Sequence, residues 1–224
     1  MINVMKKMNL REITICYGLT EASPVITQTC RDDPVGKRVE TVGKVLPYIE
    51  VKIVDPSTGK VLPQNEPGEL VARGFNIMKG YFKMPKETDE VIRDGWLHTK
   101  DLATMDEEGY FSILGRIDDM ILRGGENVYP REIEEFLYMH KEIKDVSVVG
   151  VPSAKYGEEV CAFVQLRNSP DITEIDIQNF CRDGISRYKV PKHVIFVDDF
   201  PMTASGKIRK IELRSIAQDK LKNR

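Results

Sequence analysis

From Pro34 to Gly80 a proline or glycine interrupts the chain too often for a long helix: Pro34, Gly36, Gly43, Pro47, Pro56, Gly59, Pro63, Pro67, Gly68, Gly74 and Gly80. Proline removes a backbone donor and clashes with the preceding helical turn, while interior glycine weakens a helix through backbone entropy. Between these breakers lie short β-type runs, and Ile13–Tyr17, Ile49–Val54, Gly68–Arg73 and Tyr110–Leu114 are predicted strands. Pro56-Ser57-Thr58-Gly59 is a predicted turn, because proline fixes φ and glycine tolerates positive φ. Close-spaced short strands predict a distorted β-barrel or sheet over residues 1–115 rather than a βαβ unit.

Residues 116–224 have a different texture. Pro130 opens a helical stretch in which Ile133, Phe136 and Leu137 share one face. Two strand-like runs follow, Val146–Val151 and Val160–Leu166, and Thr173 is placed to cap a helix carrying Ile177, Phe180, Cys181 and Ile185. A strand at Val194–Val197 and a last helix presenting Ile211, Leu213, Ile216 and Leu221 complete a small α+β domain. The joint is expected at Gly115-Arg116-Ile117-Asp118-Asp119, a short polar stretch with glycine.

Lys and Arg number 33 against 35 Asp and Glu, a net charge of −2, which argues against a nucleic-acid binder. No apolar run reaches the roughly 20 residues of a transmembrane helix, and Met1–Arg11 lacks the apolar core of a signal peptide. Cys16, Cys30, Cys161 and Cys181 form no CxxC, and only His98, His140 and His193 could join them, so a zinc cluster is not expected. Free, mostly buried thiols in a reducing cytoplasm are the economical expectation.

Four segments carry side chains suited to chemistry. In Tyr17-Gly18-Leu19-Thr20-Glu21 a strand ends in a glycine turn offering a hydroxyl to phosphate and a carboxylate to Mg²⁺; a capped turn with a solvated acid fits equally. In Gly95-Trp96-Leu97-His98-Thr99-Lys100-Asp101 the terminal acid can accept both ribose hydroxyls, or simply cap a turn. Arg116 offers a fixed cation, and Gly124 and Gly125, followed by Glu126, let a ligand approach the backbone, unless they merely form a β-turn. Pro201-Met202-Thr203-Ala204-Ser205-Gly206-Lys207 places a lysine on a loop, able to swing towards a carboxylate–phosphate centre or only to be solvated. It lacks the GxxxxGK spacing of a P-loop.

Taken in order, YGLTEASP (Tyr17–Pro24), GWLHTKDLA (Gly95–Ala103), GRIDDMILRGGENVYPREIE (Gly115–Glu132) and PMTASGKIRK (Pro201–Lys210) resemble successive motifs of the adenylate-forming superfamily. That superfamily comprises acyl-CoA synthetases, peptide-synthetase adenylation domains and beetle luciferases, and GGENVYP is most similar to the fatty-acyl-CoA synthetases. The resemblance implies activation of a carboxylic acid, a fatty acid by this likeness, with ATP to acyl-AMP, then transfer to CoA. By motif position Tyr17 lies beside the adenine, with Gly18 in the same nucleotide-binding turn. Thr20 contacts phosphate and Glu21 holds Mg²⁺. Asp101 binds the ribose with Arg116 nearby, and Lys207 is the catalytic cation. Asp118 is the hinge about which the second domain turns, bringing Gly124, Gly125 and Glu126 to the CoA side.

The superfamily's Ser/Thr/Gly-rich phosphate loop has no counterpart in residues 1–16. The expectation is therefore the last subdomain of a large nucleotide-binding domain followed by a complete mobile domain, inactive by itself. A non-catalytic nucleotide- or CoA-binding module, or half of a split enzyme, is the alternative. Self-association through uncovered apolar surface is also expected.

Overall fold

The computed structural model describes residues 2–167, 171–204 and 206–222. The chain is α+β and separates into two compact units, Met1–Ile117 and Asp118–Arg224.

The first unit runs α1 (Ile2–Met8), β1 (Cys16–Gly18), β2 (Val25–Gln28), α2 (Val35–Glu40), β3 (Lys44–Val45), β4 (Ile49–Val54), β5 (Gly68–Gly74), α3 (Pro85–Val91), β6 (Ile92–Arg93), β7 (Trp96–Met105) and β8 (Phe111–Arg116). Antiparallel β1, β2 and β3 form one sheet. In the other, β7 pairs with β5 along one edge and with β6 and β8 along the opposite edge, and β4 lies outside β5. Ile26, Ile49, Ile53, Leu70, Ala72, Leu97 and Phe111 bury a core common to both sheets. The strands Ile49–Val54 and Gly68–Gly74 fall where the breakers predict. The first strand is displaced to Cys16–Gly18, because Thr29 Oγ1 accepts the Ile15 amide and takes it out of the regular ladder. The Pro56–Gly59 turn is organised by Asp55, whose Oδ1 accepts the Ser57 and Thr58 amides at 2.8 Å each, with Gly59 at φ +69°.

The second unit runs β9 (Ile121–Arg123), β10 (Glu126–Val128), α4 (Pro130–Leu137), β11 (Ile143–Ser153), β12 (Gly157–Leu166), α5 (Glu174–Arg182), β13 (His193–Phe196) and α6 (Lys210–Lys222). Its sheet has the order β10-β9-β12-β11, and β13 pairs parallel to β12. Both faces are buried, so β12 is an almost continuous apolar run. Val146, Val148, Val160, Ala162, Val164 and Val194 pack towards Ile133 and Leu137 of α4 and Ile177 and Cys181 of α5. Val149, Val151, Cys161, Phe163 and Ile195 pack towards Leu213 and Ala217 of α6. Thr173 caps α5 in a reciprocal box with Asp176. Ile185 lies beyond the end of α5 yet still packs on this core.

Two expectations are corrected. The buried stripe of α6 is Leu213 and Ala217, with Leu221 partly buried, whereas Ile211 is 80% exposed and Ile216 37%. Leu213, Ala217 and Leu221 are spaced i, i+4, i+8, and this row, not the apolar count, meets the sheet. The thiols divide evenly rather than being mostly buried: Cys161 and Cys181 are enclosed, Cys16 and Cys30 exposed, and none of the four is in a disulfide. Burial alone pushes the Cys181 thiol up to about 11.

Leu213→Ala is expected to cost about 2–5 kcal/mol in urea unfolding, and Ile211→Ala no more than about 0.5 kcal/mol. Reversed magnitudes would place the other face of α6 inward. A disulfide reagent is expected to modify Cys16 and Cys30 in the native chain, and Cys161 and Cys181 only after denaturation.

Candidate functional site

The turn after β1 is built by a close approach of backbone to backbone. A Cβ on Gly18 would lie 1.7 Å from the carbonyl oxygen of Pro24, so only glycine lets the chain double back. Residues Thr20–Ala22 form a 3-10 turn anchored by buried Ala22, whose carbonyl accepts Asn76 Nδ2 at 2.8 Å. Asn76 Nδ2 also donates to the carbonyl of Val25 at 3.0 Å, so one amide pins both sides of the turn. The side chain of Thr20 does not cap it. Leu19 occupies the cap position, and the exposed Thr20 hydroxyl has no partner among the described residues. Glu21 is oriented by Tyr81, whose hydroxyl donates to Oε1 at 2.7 Å. That bond raises the Tyr81 phenol above its ordinary value and leaves Oε2 of Glu21 available.

Asp101 lies in β7 directly opposite Arg116 of β8. Its Oδ2 accepts the Tyr17 hydroxyl at 2.6 Å, and its Oδ1 is 3.8 Å from Arg116 Nε. Tyr17 therefore joins a strand of the smaller sheet to one of the larger. Burial first, and the Asp101 carboxylate second, push the Tyr17 phenol far above its ordinary value, so it stays a donor. The result is a carboxylate held from behind by a phenol and flanked by a guanidinium.

In the second unit Gly124 and Gly125 are the two central residues of the β9–β10 hairpin, at φ +62° and +91°. The hairpin itself demands these glycines, since positive φ at both positions is the tight-hairpin turn that matches strand twist. Glu126 is exposed beside it. Arg123, just before the turn, points inward: Nε and Nη2 donate to Glu159 at 2.6 and 3.1 Å, and Glu159 is 1% exposed. A cavity of about 660 Å³ opens next to Arg123 and is lined by Arg182, Arg187 and Lys192 as well as Gln178. Four cations on one concavity suit a polyanion.

Lys207 is exposed in a tight turn. Thr203 N–H donates to the Lys207 carbonyl at 2.8 Å, and Thr203 Oγ1 accepts the Lys207 amide at 3.0 Å. Gly206 at φ +78° closes this turn, and Met202 and Ile208 bridge behind it. Ser205 of the same motif lies outside the described residues. No described residue pairs with the Lys207 ammonium. Asp118 begins the second unit, in a 3-10 turn whose Asp118 carbonyl and Asp119 Oδ1 each accept Arg214 Nη2 at 3.1 Å.

The structure thus brings Tyr17, Asp101 and Arg116 together, and ties Gly18, Thr20 and Glu21 to one turn. Lys207, Asp118 and Gly124–Glu126 belong to the other unit. Sequence reasoning missed Asn76, Tyr81, Glu69 and the cations Arg182, Arg187 and Lys192. Glu69, whose carboxylate meets His98 and the Lys100 amide 29 and 31 residues away, carried no local signal. Tyr81 and Asn76 carried none, since their partners are 60 and 51–54 residues away.

Comparison with known proteins identifies the family. Residues 2–82 match the model of the AMP-binding enzyme family, and residues 132–207 that of the AMP-binding enzyme C-terminal domain. The Bacillus subtilis (strain 168) protein YngI, named as an acyl-CoA synthetase, is 53% identical over 212 residues, covering 94% of this chain and 39% of its own length. The mitochondrial medium-chain acyl-CoA ligase ACSF2 of Bos taurus is 43% identical over 94% of this chain and 34% of its own length. The chain therefore spans about two-fifths or less of these curated relatives. Among solved structures, ATP-bound MatB from Rhodopseudomonas palustris superposes with a TM-score of 0.85 at 38% identity, over 92% of this chain and 41% of that one. The Bacillus subtilis o-succinylbenzoate CoA synthetase MenE, in complex with the acyl-adenylate OSB-AMP, gives 0.87 at 29% identity, over 95% and 43%. By both family models and by these relatives, the chain belongs to the adenylate-forming, AMP-binding enzyme family, on its acyl-CoA synthetase branch.

Proposed function

We propose that this chain supplies the ribose-binding edge, the metal carboxylate and the mobile cation of an enzyme that joins a carboxylic acid, a fatty acid, to CoA through an acyl-adenylate. The observation that carries the proposal is the Tyr17–Asp101–Arg116 cluster, a carboxylate hydrogen-bonded from behind by a phenol and flanked by a guanidinium. A cis-diol such as ribose presents two donors to such a group.

The first step forms a bond between a carboxylate oxygen and the α-phosphorus of ATP, and the bond to pyrophosphate breaks. The Thr20 hydroxyl donates to a phosphate oxygen. Glu21 Oε2, with Oε1 fixed by Tyr81, fits a Mg²⁺ ion that takes its remaining ligands from phosphates and water. Bound there, the metal would offset charge on the departing pyrophosphate. Lys207, unpaired on its glycine turn, stabilises the charge developing on the reacting oxygens. In the second step the CoA sulfur, having lost its proton, attacks the acyl carbon and AMP departs with the bonding electron pair. Rotation about Asp118 withdraws Lys207 and presents Gly124, Gly125 and Glu126, and the neighbouring basic cavity receives the phosphates of CoA.

Four cysteines outside any disulfide support a reducing compartment such as the cytoplasm, and no described helix is long and apolar enough to cross a membrane. A second reading, half of a two-chain enzyme, is favoured by Tyr48, Phe75 and Phe82, which are 80–90% exposed in the first unit. The same aromatics would drive self-association, and light scattering of a clean monomer at high concentration would remove that expectation.

The 224-residue polypeptide alone is expected to give no ATP–pyrophosphate exchange with fatty acids, because none of its segments supplies the phosphate loop; robust exchange would overturn this. In an NMR titration AMP is expected to shift the amides of Tyr17, Asp101 and Arg116. Asp101→Ala should weaken binding about tenfold or more, the scale of a charge-assisted hydrogen-bond pair.

A further inference from the structure

The register of β5 against β7 breaks beside Asp101. Glu69 lies opposite Leu102 and Val71 opposite His98, so Leu70 alone faces three residues, Thr99, Lys100 and Asp101. The excess forms a bulge in which Lys100 takes φ +58°, a left-handed conformation that lysine seldom adopts. Such a conformation persists only when its surroundings over-determine it. Here two buried side chains do so. Glu69, 6% exposed, accepts the Lys100 amide on Oε1 at 3.0 Å, and its Oε2 is 2.8 Å from His98 Nδ1. A carboxylate only accepts, so His98 donates from Nδ1. Thr99, 4% exposed, donates to the Leu70 carbonyl at 2.7 Å and accepts the Asp101 amide at 3.1 Å. Every backbone donor from Lys100 to Asp101 is thus taken by a side chain, and the bulge turns the Asp101 carboxylate to the Tyr17 hydroxyl.

We infer that Glu69, together with Thr99, is a positioning residue that sets the aim of Asp101 at a ribose diol through the Lys100 amide. A buried acid inside a strand is costly unless it is hydrogen-bonded, and here one carboxylate oxygen meets the bulge and the other its flank. The inference rests on the ribose-binding reading of Asp101, and two separate readouts keep them apart.

The first readout needs no ligand. In the ¹⁵N-labelled 224-residue chain the Lys100 amide is expected to be protected from hydrogen exchange, and Glu69→Leu should lower that protection about tenfold or more, as loss of a charge-assisted bond would. Glu69→Gln keeps an oxygen acceptor and should stay within about twofold of wild type, because His98 can change tautomer to accept from the new amide. The second readout is the preference for AMP over 2′,3′-dideoxyadenosine 5′-monophosphate. Glu69→Leu and Asp101→Ala are expected to abolish it alike, with no further loss when combined, and Glu69→Gln to retain it. A thermal midpoint near wild type in Glu69→Leu shows that the loss is not general unfolding. If that variant does not fold, Thr99→Val, which removes the acceptor of the Asp101 amide, is expected to lower the protection of that amide and to abolish the preference, and wild-type values of both would overturn the inference. Wild-type protection and preference in Glu69→Leu would overturn the inference. Preference lost in Asp101→Ala but kept in Glu69→Leu would overturn it while sparing the ribose reading. No preference in the wild type would overturn the ribose reading, and Lys100 protection then decides the role of Glu69 alone.

Discussion

The hydrogen bond from Tyr17 to Asp101 is the contact on which the first unit's chemistry depends. It joins β1, in the three-stranded sheet, to β7, in the five-stranded one, across 84 residues of sequence. Everything near it serves this contact. Glycine at position 18 lets the chain turn back immediately after Tyr17, Asn76 holds the turn, and the β7 bulge presents the acid. Burial makes the pair durable, because a phenol beside a carboxylate in a partly dry site gives up its proton only far above its ordinary value. The Tyr17 phenol therefore stays a donor to Asp101.

The second unit solves a different problem. Its sheet is sealed on both faces by helices, and its polar residues of interest sit on the turns at the margin. Gly124 and Gly125 turn one hairpin, and Gly206 turns the loop that carries Lys207. Sheet and exposed turns together present a cation and a hairpin without burying either, an arrangement that suits the domain rotation proposed above. Arg214 holds the Asp118 carbonyl and the Asp119 carboxylate against α6, so the start of this unit is tied to its own last helix.

What the sequence makes legible follows from how local each signal is. Strands Ile49–Val54 and Gly68–Gly74 are bounded by proline and glycine, and Thr173 with Asp176 writes a helix start in four residues, so both are read directly. The face of α6 is not local: Ile211 is as apolar as Leu213, and only the sheet beneath decides which is covered. Likewise Gly124-Gly125 suggested an opening for a ligand, while the immediate cause of the pair is hairpin geometry. The site residues visible in the motifs include exposed ones, Thr20 and Lys207, and partly buried ones, Tyr17 and Asp101. Their supports, Glu69, Thr99, Tyr81 and Asn76, act across strands and turns far apart in sequence, and no spacing rule announces them.

The most direct test is a crystal structure of this chain soaked with a stable acyl-adenylate analogue. The account predicts the 2′ and 3′ hydroxyls within hydrogen-bond distance of the Asp101 carboxylate, the Tyr17 hydroxyl still donating from behind, and the phosphate near the Thr20 hydroxyl. A nucleotide bound elsewhere on the first unit, with Asp101 facing only Tyr17 and Arg116, would contradict it.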